Sequence, residues 1–193
     1  MHSIPVYHVD SENKITEYIQ NNKFLDSQED GDWLGSGMYF WDNVANSKYW
    51  QAIKIRHNPA KTYKTVKVQQ TFEDNELLDL TDKEIMASTL QYASVLEGRG
   101  KSQSRDVTKH MGALLNTLYE VTAESPEIFG FSFSVIKGTG LYSKTVLSDN
   151  DNDLINTTLS KTPHLTHFMK TIYLFKHDNH AVIGSKIIEE ISI

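Results

Sequence analysis

Apolar and polar positions change their spacing several times along this chain, and each change marks an element. Val6–Val9 is a short run of β-branched and aromatic character and predicts a first buried strand. Ser11-Glu12-Asn13 offers capping side chains to a helix over Ile15–Phe24, where Ile15, Tyr18 and Ile19 recur at helical spacing. Met38-Tyr39-Phe40-Trp41 reads as a strand with Tyr39 and Trp41 on one face and Met38 and Phe40 on the other. Asp42-Asn43 is capping chemistry for a helix from Val44 to Ile55, and Asn58-Pro59 stops it. Val66, Val68, Gln70 and Phe72 then alternate with Lys67, Gln69 and Thr71, the pattern of a half-buried strand.

Thr81-Asp82-Lys83-Glu84 has the form of a capping box, opening a helix that carries Ile85, Met86, Leu90 and Val95 and ends near Gly98. A further helix covers about Val107–Val121, with Met111, Leu114, Leu115 and Leu118 on one face. Phe131, Phe133 and Val135 alternate as a strand, and Gly138-Thr139-Gly140 predicts a turn after it. Ile172–Phe175 and Ile183–Ile191 supply the closing strands. Asp26–Asp32, Arg99–Arg105 and Ser148–Ser160 are polar and read as surface loops, with Glu73, Asp74 and Glu76 in a turn. No repeat or linker divides the chain, so residues 1–193 are expected to form one mixed α+β domain.

Composition narrows the chemistry. A chain of 193 residues can bury about 70 % of its unfolded surface. The net charge of −6 gives no general attraction to nucleic acid, although Arg99, Lys101 and Arg105 make a local basic stretch. With no cysteine there is no disulfide framework and no thiolate metal site. The start Met1–His8 lacks the basic and apolar regions of a signal peptide, and no apolar run reaches the length of a membrane span. A cytoplasmic, non-membrane protein is the expectation. His164, His167, His177 and His180 form two His-x-x-His pairs around Asp178, but no helix or cysteine context accompanies them, and no metal is expected. There is no Gly-x-Ser-x-Gly elbow, P-loop or Rossmann fingerprint.

The most specific stretch is Asp32–Trp50, which holds all three tryptophans along with Tyr39, Phe40 and Tyr49. Aromatic clusters are commonly core; beside a helix start they can also seat a flat heteroaromatic or cationic ligand. Here Gly35-Ser36-Gly37-Met38-Tyr39-Phe40 is followed by Ser47, eight residues after Tyr39, and by Trp50 three residues further on. This spacing resembles the second motif of the PARP-like (diphtheria-toxin-type) ADP-ribosyltransferases, in particular a small bacterial and phage branch. Val6-Tyr7-His8-Val9-Asp10 is similar to the family's first motif, with Val9 where a glycine is usual, and Leu77-Leu78-Asp79-Leu80-Thr81-Asp82 resembles a segment of the bacterial branch. The third motif places a glutamate or glutamine on a late strand. The best alignment puts Thr171 there, with Met169 as its neighbouring alternative.

The resemblance implies split mixed and antiparallel β-sheets with flanking helices, and a mono-ADP-ribosyltransferase that uses NAD+ as co-substrate. It implies that His8 bonds the adenosine ribose, that Val9 holds the carboxamide through its backbone, and that Tyr39 and Trp50 sandwich the nicotinamide ring. Gly37 would let the backbone approach the ligand, Ser47 would bond the amide, and Thr171 would position a ribose hydroxyl. Cleavage of the nicotinamide–ribose bond builds positive charge on the ribose, which a glutamate would stabilise and Thr171 cannot. Glu189-Glu190 is another source of carboxylates, more simply read as an exposed pair on the last strand. The implied partners are a macromolecular acceptor, protein or nucleic acid, and an inhibitor or antitoxin protein. Rival readings are a silent NAD or ADP-ribose binding module and a protein-interaction domain on the same fold.

Overall fold

A computed structural model describes residues 1–27, 33–96, 107–141, 169–176 and 186–191. Arg99–Arg105, Ser148–Ser160, most of Asp26–Asp32 and the four C-terminal histidines lie outside the described residues. Seven strands follow in chain order: β1 (His2–Ser11), β2 (Met38–Trp41), β3 (Tyr63–Phe72), β4 (Leu77–Asp79), β5 (Val135–Leu141), β6 (Met169–Phe175) and β7 (Lys186–Ile191). The helices are α1 (Glu12–Asn21), α2 (Val44–His57), α3 (Lys83–Leu96), α4 (Met111–Glu124) and the single turn α5 (Pro126–Phe129).

The strands join in one order, β4-β5-β6-β2-β1-β3-β7, rather than in two separate sheets. All described pairs are antiparallel except β4 with β5. The order is pinched in the middle. β1 pairs with β3 through ten residues, from His2↔Phe72 to Ser11↔Tyr63, and β2 pairs with β6 through four. Between β1 and β2 there is one bridged pair, Tyr7↔Trp41. The ladder does not continue to His8 and Phe40, the next pair in register, or to Val9 and Tyr39 after them, so the two halves of the sheet part there.

Strand alternation sends side chains to two cores. On one face Val6, Met38, Phe40, Val66, Val68, Phe72, Val135 and Phe175 pack with Ile15 and Tyr18 of α1. On the other, Val9, Trp41, Ile136, Ile172 and Leu174 pack with Leu96 of α3 and Leu114, Leu115 and Leu118 of α4, and Tyr39 lies against them. Each face of the sheet thus carries its own helical cover, as a mixed α+β fold requires.

Several local expectations need correction. The Gly138-Thr139-Gly140 turn is the middle of β5, paired with Ile172, Thr171 and Lys170. These glycines serve packing instead: a Cβ on Gly140 would stand 2.0 Å from the ring of Trp33, and one on Gly138 would stand 3.1 Å from Leu34. Phe131 and Phe133 precede β5 and stack on each other outside the sheet. The side chain that caps α3 is Asp82, accepting from the N–H groups of Glu84 and Ile85, while Thr81 turns back to Asp79. Asn43 caps α2 as expected, accepting from Asn46 N–H at 2.8 Å. α4 begins at Met111 rather than near Val107.

Candidate functional site

The parting of β1 from β2 brings most of the predicted residues near one another, but on opposite faces of the sheet. His8 is 6 % exposed and lies in the α1-side core, its ring 5.4 Å from that of Phe40 and 6.4 Å from that of Tyr18. Its Nδ1 is 2.7 Å from the Tyr39 carbonyl oxygen. A carbonyl only accepts, so Nδ1 carries the proton and Nε2 is left as a bare acceptor. That Nε2 is buried and has no hydrogen-bond partner among the described residues. Burial pushes the His8 pKa down to about 4, against the partial support of the Tyr39 carbonyl. The side chain therefore spans the gap where the β1–β2 ladder stops, taking the place of a backbone bond.

Tyr39 points the other way, into the α4-side core. Its hydroxyl donates to the Gly35 carbonyl at 2.6 Å and accepts from Leu34 N–H at 3.1 Å, which fixes the phenol under the preceding turn. That turn is also held from outside. Asn116 Oδ1 accepts from Ser36 N–H at 2.8 Å, and the buried Lys176 ammonium donates to both Asn116 Oδ1 and the Ser36 carbonyl, at 2.6 and 2.9 Å. Gly37 has a φ of +148°, and a Cβ there would stand 2.4 Å from the Phe175 carbonyl oxygen. Only glycine fits between the turn and β6.

Trp50 projects from α2 on the same side as Trp41, with ring centroids 6.0 Å apart, and is 36 % exposed. Ser47, one turn earlier, is fully buried and donates its hydroxyl to the Val44 carbonyl at 2.8 Å. Val9 is buried in the same core as Trp41, its backbone in the ladder opposite Thr65. Asp10, at the end of β1, faces Lys54 of α2 at 3.6 Å and Lys14 at 3.4 Å. Burial alone would raise the Asp10 pKa, but Lys54, His8 and the Ser11 N–H hold it below its ordinary value.

Thr171 does not join Tyr39. It alternates with Ile172 on β6 and so falls on the face of Phe40 and Tyr173, while its carbonyl accepts from Asp42 N–H at 3.3 Å. The β6 residue on the Tyr39 face is Lys170. Its ammonium lies 5.2 Å from the Trp33 ring centroid and 5.4 Å from that of Tyr49, and burial lowers its pKa. Sequence reading missed this cage because its parts come from three distant segments. The one available signal was Gly140, a glycine in a strand where a neighbouring ring approaches. Met169 is two residues from Thr171 and opposite Leu141. Glu189 and Glu190 pair with Lys67 and Lys64 along β7, at 3.4 and 2.6 Å, away from the rings. Among the described residues no cluster of His, Cys, Asp and Glu could hold a metal ion, and no helix is long and apolar enough to cross a membrane.

No protein-family profile matches the chain, and no solved structure matches it. Over 78 residues it is 28 % identical to the uncharacterized protein MJ0359 of Methanocaldococcus jannaschii. The match covers 39 % of this chain and 36 % of that protein. The chain is similar to a part of a longer archaeal protein whose name carries no activity.

Proposed function

We propose that this chain binds NAD+ and transfers its ADP-ribose, as a mono-ADP-ribosyltransferase, to a macromolecular acceptor. The observation that carries the reading is the arrangement of Tyr39, Trp41 and Trp50 beside the point where β1 and β2 part. The half-exposed Trp50 ring of α2 lies 6.0 Å from that of Trp41, and Tyr39 is on the same face of β2. A flat nicotinamide can stack on such rings, and a backbone N–H and C=O pair matches its carboxamide. Stacking would hold the leaving ring, and the cationic ribose would form at the rim. A toxin or effector role would follow from the acceptor.

One observation favours a second reading, a silent module that holds NAD+ or ADP-ribose. Thr171 stands in place of a carboxylate and faces away from Tyr39, so nothing at that position stabilises the developing ribose cation. Nicotinamide release from NAD+ separates the two. The transferase reading expects release by the native chain, falling at least about ten-fold in Trp50→Ala while stability changes by less than about 1 kcal/mol, since the side chain is partly exposed. No release, with NAD+ still raising the melting temperature, leaves the silent binder. A melting temperature indifferent to NAD+ and ADP-ribose removes both readings.

A further inference from the structure

Asn116 of α4 and Lys176, the residue after β6, take no part in the chemistry described above, yet their bonds converge on one turn. Asn116 Oδ1 accepts from Ser36 N–H at 2.8 Å, and Asn116 Nδ2 donates to Ser36 Oγ at 3.0 Å. The Lys176 ammonium donates to the Ser36 carbonyl at 2.9 Å and to Asn116 Oδ1 at 2.6 Å. The N–H, C=O and hydroxyl of Ser36 are thus all held. Lys176 is 1 % exposed, with its ammonium 5.1 Å from the Tyr119 ring centroid. Its own N–H donates to the Ser134 carbonyl at 2.8 Å, so the ammonium projects from a fixed backbone. Gly35 is fitted to the same pair. Its φ is +88°, and a Cβ there would stand 2.3 Å from Asn116 Oδ1 and 2.7 Å from the Gly112 carbonyl oxygen.

Packing alone does not call for a lysine at this place. Methionine has a similar length and would avoid the cost of taking an ammonium out of water. What the ammonium adds is direction, because it ties the turn to α4 in one geometry. The turn then holds Tyr39, whose hydroxyl is bonded to the Gly35 carbonyl and to Leu34 N–H. A shift of the Ser36 peptide therefore moves both partners of the phenol, and the ring follows. A ring that seats a leaving group has to keep its orientation within about 10–20° for the breaking bond to stay aligned.

We infer that Lys176 and Asn116 are positioning residues, which set the orientation of the Tyr39 ring through the Ser36 turn. Their service to the reaction rests on the transferase reading proposed above; their hold on Tyr39 does not. The test compares Asn116→Leu with Asn116→Asp, whose carboxylate keeps an acceptor for Ser36 N–H and Lys176, and with Lys176→Met. Cooperative melting establishes which variants are folded. The first readout needs no NAD+: hydrogen exchange at Leu34 N–H, at labelling times short enough that the Val66 and Val68 amides stay protected. Exchange at Leu34 should be at least about ten-fold faster in Asn116→Leu and in Lys176→Met, and close to native in Asn116→Asp. The second readout is nicotinamide release from NAD+. In Asn116→Leu and Lys176→Met kcat should fall at least about ten-fold with KM within about three-fold of native, and Asn116→Asp should recover most of the native kcat. The clamp is overturned if Leu34 exchanges at the native rate in the folded Leu or Met variant. It is also overturned if exchange rises while kcat is kept, or if Asn116→Asp behaves like Asn116→Leu. A native chain that releases no nicotinamide removes the transferase reading, and the exchange rates then decide the hold on Tyr39 by themselves.

Discussion

The two faces of the sheet treat their polar groups in opposite ways. On the Tyr39 face, the buried polar groups described above are paired. The Tyr39 hydroxyl has two partners, the Ser36 turn is held by Asn116 and Lys176, and Lys170 lies between two rings. On the His8 face, two buried side chains keep atoms with no partner among the described residues: Nε2 of His8, and both amide atoms of Gln70. Unpaired buried polar atoms cost about 1–3 kcal/mol each. The first face is one whose buried polar groups are satisfied. The second is a core that carries polar residues at a cost to stability, and His8 there spans the parting strands instead of facing a ligand beside Tyr39.

Gly37 is where the two halves are most sharply constrained, so the largest effect is expected there. In Gly37→Ala the new Cβ meets the Phe175 carbonyl at 2.4 Å, and φ of +148° is unfavourable for alanine. Strain and overlap each contribute about 1–3 kcal/mol, so a loss of about 4 kcal/mol is expected, or roughly 10 °C in melting temperature. Urea unfolding measures it. A loss under about 1 kcal/mol would mean that the Gly35–Gly37 turn relaxes freely, and the two faces would not share a rigid hinge.

Most of the elements that build this hinge were legible in the sequence. Met38–Trp41 alternates as predicted, Asn43 caps α2, and Val66, Val68 and Phe72 are buried on one side of β3. These are local patterns, set by periods of two or 3.6 and by capping chemistry. Which predicted residues share a face was not legible. His8 and Tyr39 were placed in one site from motif spacing, but the Tyr7↔Trp41 pairing puts an even and an odd position on opposite sides of adjoining strands. Lys170 was overlooked for Thr171 because a one-residue choice on β6 decides the face, and that register depends on pairing with β2 and β5. The glycines of β5 misled in the same way. Glycine signals a turn when read locally, and a close approach by Trp33 and Leu34 once the fold is formed.

Acid separates the faces next. The His8 pKa stands at about 4 in the fold against 6.5 ordinarily, so between those values the unfolded chain takes up a proton that the folded chain refuses. Stability should fall as pH drops through this window and level off below about 4, with a total loss of about 3 kcal/mol from this group. Asp10, held below its ordinary value, adds its loss only at lower pH. Chemical denaturation at pH 7, 5.5 and 4.5, compared with His8→Gln, isolates the contribution. An equal pH slope in both proteins would place His8 in contact with solvent and undo the contrast.

The smallest effect sharpens the comparison because its sign is unusual. Gln70 is fully buried on β3 opposite Ile4, on the side of Val66 and Val68, and neither amide atom has a partner among the described residues. Methionine matches its length and removes both polar atoms. The packing volume changes little, and the desolvation cost of the amide disappears. Gln70→Met should therefore stabilise the fold by about 1–2 kcal/mol, seen as a higher urea midpoint at unchanged slope. A control on the other face should move in the opposite direction. Asn116→Leu strips Lys176 and the Ser36 N–H of a shared acceptor and should cost about 2 kcal/mol, because there the polar partners are present and each loses a bond. If Gln70→Met instead destabilised the protein, the amide would be bonded in solution, and the His8 face would be as well satisfied as the face that carries the rings.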